Sequence, residues 1–207
     1  MQIIISYLFK AVRRLFRFLL HWVENKYCHI LFYVQNVQHR NFKTNGLPFV
    51  SVARGASCFI DEGFVMNNTL NGNPIGRPQP CVLFVDYGAS LIIGKNVGIS
   101  ATALVAHLSI TIGNNAKIGG GVCIYDTDFH SLNSKNRLTK NIDQDNEIKK
   151  AVFIDENAFI GAHSTILKGV SIGKNSVIGA CSVVTKNVPD NEIWAGNPAR
   201  FIKKLKE

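Results

Sequence analysis

The residue most suited to chemistry in this 207-residue sequence is a histidine in a polar segment, Asp126-Thr-Asp-Phe-His130-Ser. Imidazole accepts and releases protons near neutral pH, so His130 is the leading candidate for a general base. A nearby carboxylate, Asp128 or Asp126, could orient the ring. Either aspartate could equally be a solvated loop charge, and the sequence leaves that choice open.

Histidine and cysteine side chains could also hold a metal ion. Three imidazoles are available for this, from His107, His130 and His163. The five cysteines stand at positions 28, 58, 81, 123 and 181, and none is spaced as in a zinc ribbon or a redox motif. Their odd number fits no closed disulfide framework, so we expect a reducing compartment.

A six-residue repeat surrounds the histidine segment. Downstream, aliphatic residues recur in phase at Ile160, Ile166, Ile172, Ile178 and Val184. Upstream, the matching residues are Ile93, Ile99, Ile112, Ile118 and Ile124. The step from 99 to 112 is one residue too long, which predicts a bulge or corner insertion near Ala106 and His107. The repeat breaks after Ile124, and we expect residues 125–150 to form an inserted loop, a common carrier of function.

The six-residue period predicts a parallel β-helix. Each unit is a short strand with one aliphatic residue pointing inward, followed by a corner at which glycine or asparagine permits a tight turn. Three units close one triangular coil, and stacked coils bury a continuous aliphatic column. A β-sandwich would instead alternate with period two. A weaker pattern at Val52, Cys58 and Phe64 suggests earlier, degenerate coils.

The first 48 residues have a different character. They hold seven Lys and Arg against the single Glu24, within a net charge of +9. Polar residues recur every three or four positions from Ile3 to Glu24, which predicts an amphipathic helix. We expect this segment to cap the coil, to contact an anionic membrane through residues 1–24, or to do both. The charges interrupt any apolar run long enough to span a membrane, and they do not fit a secretory signal.

Three features together resemble the hexapeptide-repeat acyltransferases. They are the Ile-Gly-x-x-x-x repeats, the loop Asp126–Ser131, and the ending Val184-Thr-Lys186 … Trp194-Ala-Gly-Asn-Pro-Ala-Arg200. Within this family the chain is similar to galactoside, maltose and xenobiotic acetyltransferases, and most of all to O-acetyltransferases of bacterial surface polysaccharides. The resemblance covers about residues 74–204. It implies a left-handed β-helix over residues 49–207, a homotrimer, and transfer of acetyl from acetyl-CoA to a hydroxyl of a surface polysaccharide or its precursor.

The resemblance also implies a mechanism. His130 would take the proton of the acceptor hydroxyl during attack on the thioester and then pass it to the departing thiolate. Backbone N–H groups at a coil corner would hold the developing oxyanion. Acetyl-CoA would lie in a groove between neighbouring coils, and the His130 loop would meet the groove of the partner subunit.

The donor site follows from the same resemblance. The positions that match the family's CoA contacts are Ala162, Ala180, Thr185, Lys186, Arg200 and Lys203. Small residues at the two alanines let the pantetheine arm approach the backbone, while the cations would pair with nucleotide phosphates. Asn197-Pro198 is typical of a helix start, so we expect Arg200 and Lys203 to share one face of a short C-terminal helix.

The acceptor side departs from the family. Galactoside-type relatives carry an aspartate that contacts the sugar, and the matching position here is His107. His107 and Ser100 could line the acceptor pocket, or they could be polar corner residues. The acceptor therefore stays open between a lipid-linked or nucleotide-linked sugar, a free sugar and an amine, and O-acetylation is not separated from N-acetylation.

Three other classes of function fit the sequence less well. The γ-type carbonic anhydrases share the β-helix and bind zinc through three histidines, but two of their ligands lie five residues apart, a spacing absent here. A non-catalytic scaffold is possible on this fold, although the intact histidine loop argues against it. No aromatic and basic module indicates nucleic-acid binding. We expect a cytoplasmic enzyme without a metal, located in part at the inner membrane face.

Overall fold

The computed structural model describes residues 2–70, 72–75 and 79–206. Met1, the first residue of the predicted segment 1–48, and Glu207, the last residue of the predicted segment 49–207, lie outside the described residues. A long helix, α1 (Gln2–Val34), comes first. The inserted loop contains one 3-10 turn, Asn136–Leu138, and a short helix, α2 (Lys140–Asp145). All other regular elements of the described residues are strands.

The strands are short and follow one another at nearly regular intervals. In chain order they are β1 (Val37–His39), β2 (Phe42–Asn45), β3 (Phe49–Val52), β4 (Ser57–Ile60), β5 (Phe64–Asn67), β6 (Val82–Val85), β7 (Ser90–Ile93), β8 (Gly98–Ser100), β9 (Ala103–Ala106), β10 (Ser109–Ile112), β11 (Lys117–Ile118), β12 (Cys123–Tyr125), β13 (Val152–Ile154), β14 (Phe159–Ile160), β15 (Thr165–Ile166), β16 (Ser171–Ile172), β17 (Val177–Ile178), β18 (Val183–Val184), β19 (Glu192–Gly196) and β20 (Ala199–Lys204).

Through β18, every third strand joins the same sheet, which gives three sheets of parallel strands around one core, and the second sheet ends in an added hairpin. The first sheet runs β1-β4-β7-β10-β13-β16, the second runs β2-β5-β8-β11-β14-β17-β19-β20, and the third runs β3-β6-β9-β12-β15-β18. With the hexapeptide pattern, this confirms the predicted left-handed parallel β-helix. The repeat aliphatics lie in the column as expected, and Ile124, Ile160 and Ile166 are completely buried. Burial of each such side chain contributes about 1.5–3 kcal/mol.

One row of corners carries a ladder of asparagines. The members are Asn96, Asn115, Asn157, Asn175 and Asn191. All have positive φ, between 56° and 60°, a conformation that asparagine tolerates better than most residues. Each side-chain amide donates to the next asparagine's side-chain oxygen, over 2.8–3.2 Å. The ladder explains why the repeats carry Asn at this position and keeps successive coils in register.

The coil begins before residue 49, the predicted start of the β-helix. Strands β1 and β2 lie inside the segment 1–48, yet they pair in parallel with β4 and β5. The degenerate coils predicted from Val52, Cys58 and Phe64 are present. Cys58 and Phe64 are buried in the column, whereas Val52 is half-buried and packs against it.

The second half of α1 caps the open end of the coil. Cys28 and Phe32 are completely buried, and the Phe32 ring lies 4.8 Å from that of Phe42 in the first coil. His21 donates through Nδ1 to the Thr44 carbonyl over 3.0 Å, and the Glu24 carboxylate accepts from the Gly46 amide over 2.8 Å. The second half of α1 therefore packs against the first coil. Within the described residues, no helix is both long and apolar enough to cross a membrane.

The predicted C-terminal helix is wrong. Residues Ala199–Lys204 form strand β20, which pairs antiparallel with β19 as a hairpin at the end of the second sheet. The Asn197–Pro198 peptide, which is cis, lies in the connection between these strands rather than at a helix start. Pairing with β19 satisfies the backbone of this segment, and β19 itself continues the sheet beyond β17. Arg200 and Lys203 are exposed on β20, without the shared helical face that the prediction gave them.

Candidate active site

His130 is held by a carboxylate that lies outside its own segment. Its Nδ1 is 2.7 Å from Oδ2 of Asp143, a residue of helix α2. The other carboxylate oxygen of Asp143 accepts the Ser131 amide, also over 2.7 Å. Two charge-assisted hydrogen bonds therefore join the helix of the inserted loop to the histidine segment.

The electrostatics of Asp143 show that it acts as an ionised acceptor. The pKa of Asp143 is lowered, first by the hydrogen bond from the His130 ring and then by the one from the Ser131 amide. An ionised carboxylate only accepts, so Nδ1 of the neutral ring must carry its proton. Nε2 then holds the free lone pair. The histidine side chain is 69% exposed, so this nitrogen is open to a substrate.

Asp128 does not have the orienting role that the sequence suggested for it. Its carboxylate forms an ion pair with Lys168 over 2.7 Å, and its backbone amide donates to Ile148. The pair fixes the start of the inserted loop to the coil that contains Lys168. Asp128 is therefore a structural residue, and the candidate dyad is His130 with Asp143.

Asp126 is also structural, and it explains the predicted irregularity of the repeat. Its fully buried carboxylate accepts the backbone amides of His107, Leu108 and Ser109 over 2.6–2.8 Å. These amides belong to the connection between β9 and β10 and to the first residue of β10, near the predicted insertion. A corner that lengthens the repeat exposes extra backbone donors, and the carboxylate satisfies them.

Phe129 holds an unusual backbone conformation next to His130. Its φ of 63° is uncommon for a bulky residue, and its amide donates to the Thr127 hydroxyl over 3.0 Å. The ring stands edge-on against Tyr125 and His107, with centroids 5.2 and 5.6 Å away. Such strain at a loop that carries a reactive side chain is typical of functional sites. The packing fixes the direction in which His130 leaves the coil.

His107 supports the far end of the same loop. Its Nδ1 lies 3.3 Å from Glu147 and 3.4 Å from Asp86, and its side chain is only 16% exposed. Lys149 pairs with the same Glu147 carboxylate over 2.5 Å. These contacts attach the segment after α2 to the coil. Because Nδ1 already faces two carboxylates, only the remaining ring nitrogen could reach a sugar.

Ser100 lies far from His107 within one chain. Its buried hydroxyl accepts from the Asn67 amide over 3.1 Å. Ser100 precedes β9 and His107 follows it, so the four-residue strand places them roughly 13 Å apart, at opposite edges of the third sheet. The two residues predicted for the acceptor therefore lie at different corners of one chain.

The predicted CoA residues lie on the last coils and the terminal hairpin, and they do not share one edge of the third sheet. Ala162 and Ala180 occupy successive corners before β15 and β18, and the Ala162 carbonyl accepts the Cys181 amide. A Cβ on Gly161 would lie 2.5 Å from the Ala180 nitrogen, so the corner backbones approach closely. Thr185 and Lys186 follow β18 and are exposed. Arg200 pairs with Ala195, whose Cβ lies against Gly179.

The three histidines that could have bound zinc do not converge. His163 stands at the corner before β15, whereas His107 and His130 lie beyond the opposite ends of β9 and β12. Among the described residues, no group of three or more His, Cys, Asp and Glu side chains is arranged to hold a metal.

Comparisons with known sequences identify the repeats. Residues 151–186 match the bacterial transferase hexapeptide (six repeats), and residues 90–126 match the hexapeptide repeat of succinyl-transferase. A provisionally named acetyltransferase of Dictyostelium discoideum is 39% identical over 59% of this chain and 62% of its own length. A second protein with that provisional name, from Saccharomyces cerevisiae, is 38% identical over 60% and 61%. The chain thus spans about three fifths of these relatives.

Among solved structures, too, the chain is similar to acyltransferases. A galactoside acetyltransferase in complex with coenzyme A is 30% identical, with a TM-score of 0.51 over 70% of this chain and 66% of that one. A point mutant of AntD, an N-acyltransferase from Bacillus cereus, in complex with dTDP and coenzyme A has a TM-score of 0.64 over 86% and 89%, at 22% identity. AntD therefore shares the fold alone. Repeats, relatives and fold together identify the chain as a hexapeptide-repeat protein similar to the acyltransferases of that family.

Proposed function

We propose that the protein is an acetyl-CoA-dependent O-acetyltransferase that acts on a saccharide hydroxyl. The observation that carries the proposal is the hydrogen bond between His130 Nδ1 and Asp143, which in the neutral ring leaves the lone pair on the exposed Nε2. A nitrogen in this state is a general base, as attack by a hydroxyl on a thioester requires. A non-catalytic scaffold would have no need of it.

The reaction moves one proton through the histidine. Nε2 takes the proton of the acceptor hydroxyl as its oxygen bonds to the thioester carbonyl carbon. The tetrahedral adduct then breaks its carbon–sulfur bond, and the imidazolium returns the proton to the departing CoA thiolate. Asp143 favours the charged ring between these steps because its pKa is lowered and it stays ionised. Backbone amides at a coil corner would stabilise the oxyanion.

A homotrimer is part of the proposal. The His130 loop leaves the third sheet after β12, whereas Ala162 and Ala180 precede β15 and β18 at the opposite edge of that sheet. One chain therefore presents the base and the corners predicted to bind the donor on different sides. Rotation of copies around a threefold axis would bring the base of one subunit to the donor groove of the next.

The acceptor is proposed to be a sugar of a bacterial surface polysaccharide or its lipid-linked precursor, met in the cytoplasm at the inner membrane face. Support comes from the galactoside acetyltransferase, the 30% identical structure, and from the exposed half of α1. AntD acts on nitrogen but shares only the fold, so the identity of the product separates O-acetylation from N-acetylation.

The donor site is tested through Arg200. We expect Arg200→Ala to raise the KM for acetyl-CoA by about 10- to 100-fold with little change in kcat, because a charged hydrogen-bond partner of a phosphate is lost. Initial-rate assays of CoA release would measure this. Lys204→Ala, on the same exposed strand, is the matched control. Acetyl-pantetheine, which lacks the nucleotide, should react equally with wild type and Arg200→Ala; an equal loss with both donors would contradict the assignment.

A further inference from the structure

We propose that α1 seats the protein on an anionic lipid bilayer, with one apolar face against the lipid and the coil on the water side. The inference deepens the proposed function, because it names the surface at which a lipid-linked acceptor would be met. The inference is drawn from the contacts, exposure and charges of α1 and does not depend on catalysis.

One stripe of the helix faces the coil in the second half of α1, and its spacing can be followed into the first half. In the second half, this stripe consists of His21, Glu24, Cys28 and Phe32, spaced three or four residues apart, and it makes the capping contacts. The same spacing continues the stripe toward the N-terminus through Arg17, Arg14 or Arg13, and Lys10. The cations and the coil therefore lie on the same side of the helix.

The opposite side is an apolar surface, here called the outer face. Its members, each 53–73% exposed, are Ile4, Leu8, Val12, Leu15, Leu19, Val23, Ile30 and Val34. With 33 residues, the helix is about 50 Å long, so the outer face extends well beyond the coil. Trp22, Tyr27 and Tyr33 flank it, also mostly exposed, as amphipathic rings do at a membrane interface. Lys26 is the one charge on this face, and its long stem permits the ammonium to reach the headgroups.

The positive charge of α1 favours an anionic partner. Residues 2–23 contain four Lys and Arg and no Asp or Glu. A helix that lies in the membrane interface with cations above its apolar face binds anionic lipid in two ways, by burial of apolar side chains and by electrostatic attraction to the headgroups. A second copy on the outer face would bury apolar surface as well, but it would gain nothing from the cationic stripe. A bilayer that contains anionic headgroups uses both sides of the helix.

Flotation of the full-length protein with vesicles tests the inference. We expect binding to vesicles of phosphatidylcholine with phosphatidylglycerol, much weaker binding to phosphatidylcholine alone, and loss of binding in high salt. The variant Lys10→Glu/Arg13→Glu/Arg14→Glu should weaken binding by roughly a hundredfold or more. Lys95→Glu/Lys204→Glu/Lys206→Glu carries the same change of charge on exposed residues of the coil and should bind like wild type.

A second variant addresses the outer face. Leu8→Ser/Leu15→Ser should also lose vesicle binding while keeping the circular dichroism and melting of the coil, because both side chains are mostly exposed. Equal flotation with neutral and anionic vesicles, or no effect of the helix variants, would overturn the inference. So would self-association without lipid that this variant abolishes, since the outer face would then belong to a second copy. Acetyl transfer to a soluble acceptor without vesicles tests the enzyme separately.

Discussion

Replacement of His130 by alanine is expected to lower kcat for acetyl transfer by about 10²–10⁴-fold, the usual contribution of a positioned general base. The imidazole is the only group in the dyad that can accept the hydroxyl proton, because Asp143 is an ionised acceptor already bound to two donors. The KM for acetyl-CoA should change little, because the imidazole acts on the acceptor hydroxyl and is not among the residues predicted to bind the donor. Steady-state release of CoA measures both constants.

The control for this variant is an imidazole outside the site. His29→Ala removes a ring from the capping region, 4.5 Å from Phe42, and should keep full kcat. Both variants should elute at the same size as wild type. Turnover by His130→Ala equal to that of wild type would contradict the assignment of His130 as the general base.

Substitution of Asp143 is expected to have the second largest effect. Asp143→Asn should lower kcat by about 10- to 100-fold, because the imidazolium loses its charged hydrogen-bond partner and the ring loses its fixed tautomer. Asp143→Ala should lower it at least as much. The KM for acetyl-CoA should stay near the wild-type value in both, because the carboxylate positions the base and does not contact the donor residues.

Two controls separate this role from a general effect of charge. Asp145→Asn removes an exposed carboxylate from the same helix and should leave kcat unchanged. Asp128→Asn, which breaks the pair with Lys168, should lower stability more than kcat. If Asp128→Asn reduced kcat and Asp143→Asn did not, the dyad would be wrongly assigned.

The lowered pKa of Asp143 also sets a direction for stability against pH. A carboxyl whose pKa is depressed in the folded state stabilises that state above its ordinary pKa, and the contribution disappears as the pH falls through the lowered value. Thermal melts of wild type and Asp143→Asn should therefore differ most near neutral pH and converge in acid.

The fold was largely predictable because its determinants are periodic. Residues such as Ile160 and Ile166 recur at a fixed interval, and each lies in the column as the period requires. The C-terminal segment was not predictable in this way. Asn197 and Pro198 favour a helix start locally, but the free edge of the second sheet offered a strand partner, and that tertiary pairing decided the conformation.

The active site was predictable only in part, for a similar reason. His130 stands out because it interrupts the repeat, whereas its partner is thirteen residues away in a loop that holds several carboxylates. Asp126 and Asp128 are nearer in sequence, but the Asp126 carboxylate accepts backbone amides at the buried corner after β9, and the Asp128 carboxylate pairs with Lys168. No local signal distinguishes Asp143 from Asp145. Only the fold of the loop shows which carboxylate meets the ring.

Mass spectrometry of the acceptor after incubation with isotopically labelled acetyl-CoA tests the central claim most directly. Saccharides of the surface-polysaccharide class, free and lipid-linked, would be offered to wild type and to His130→Ala at equal concentration. We expect one labelled acetyl group per product, in an ester that mild base removes, formed by wild type and nearly absent with the variant. A label in a base-stable amide would contradict O-acetylation, and equal labelling by both proteins would contradict catalysis by His130.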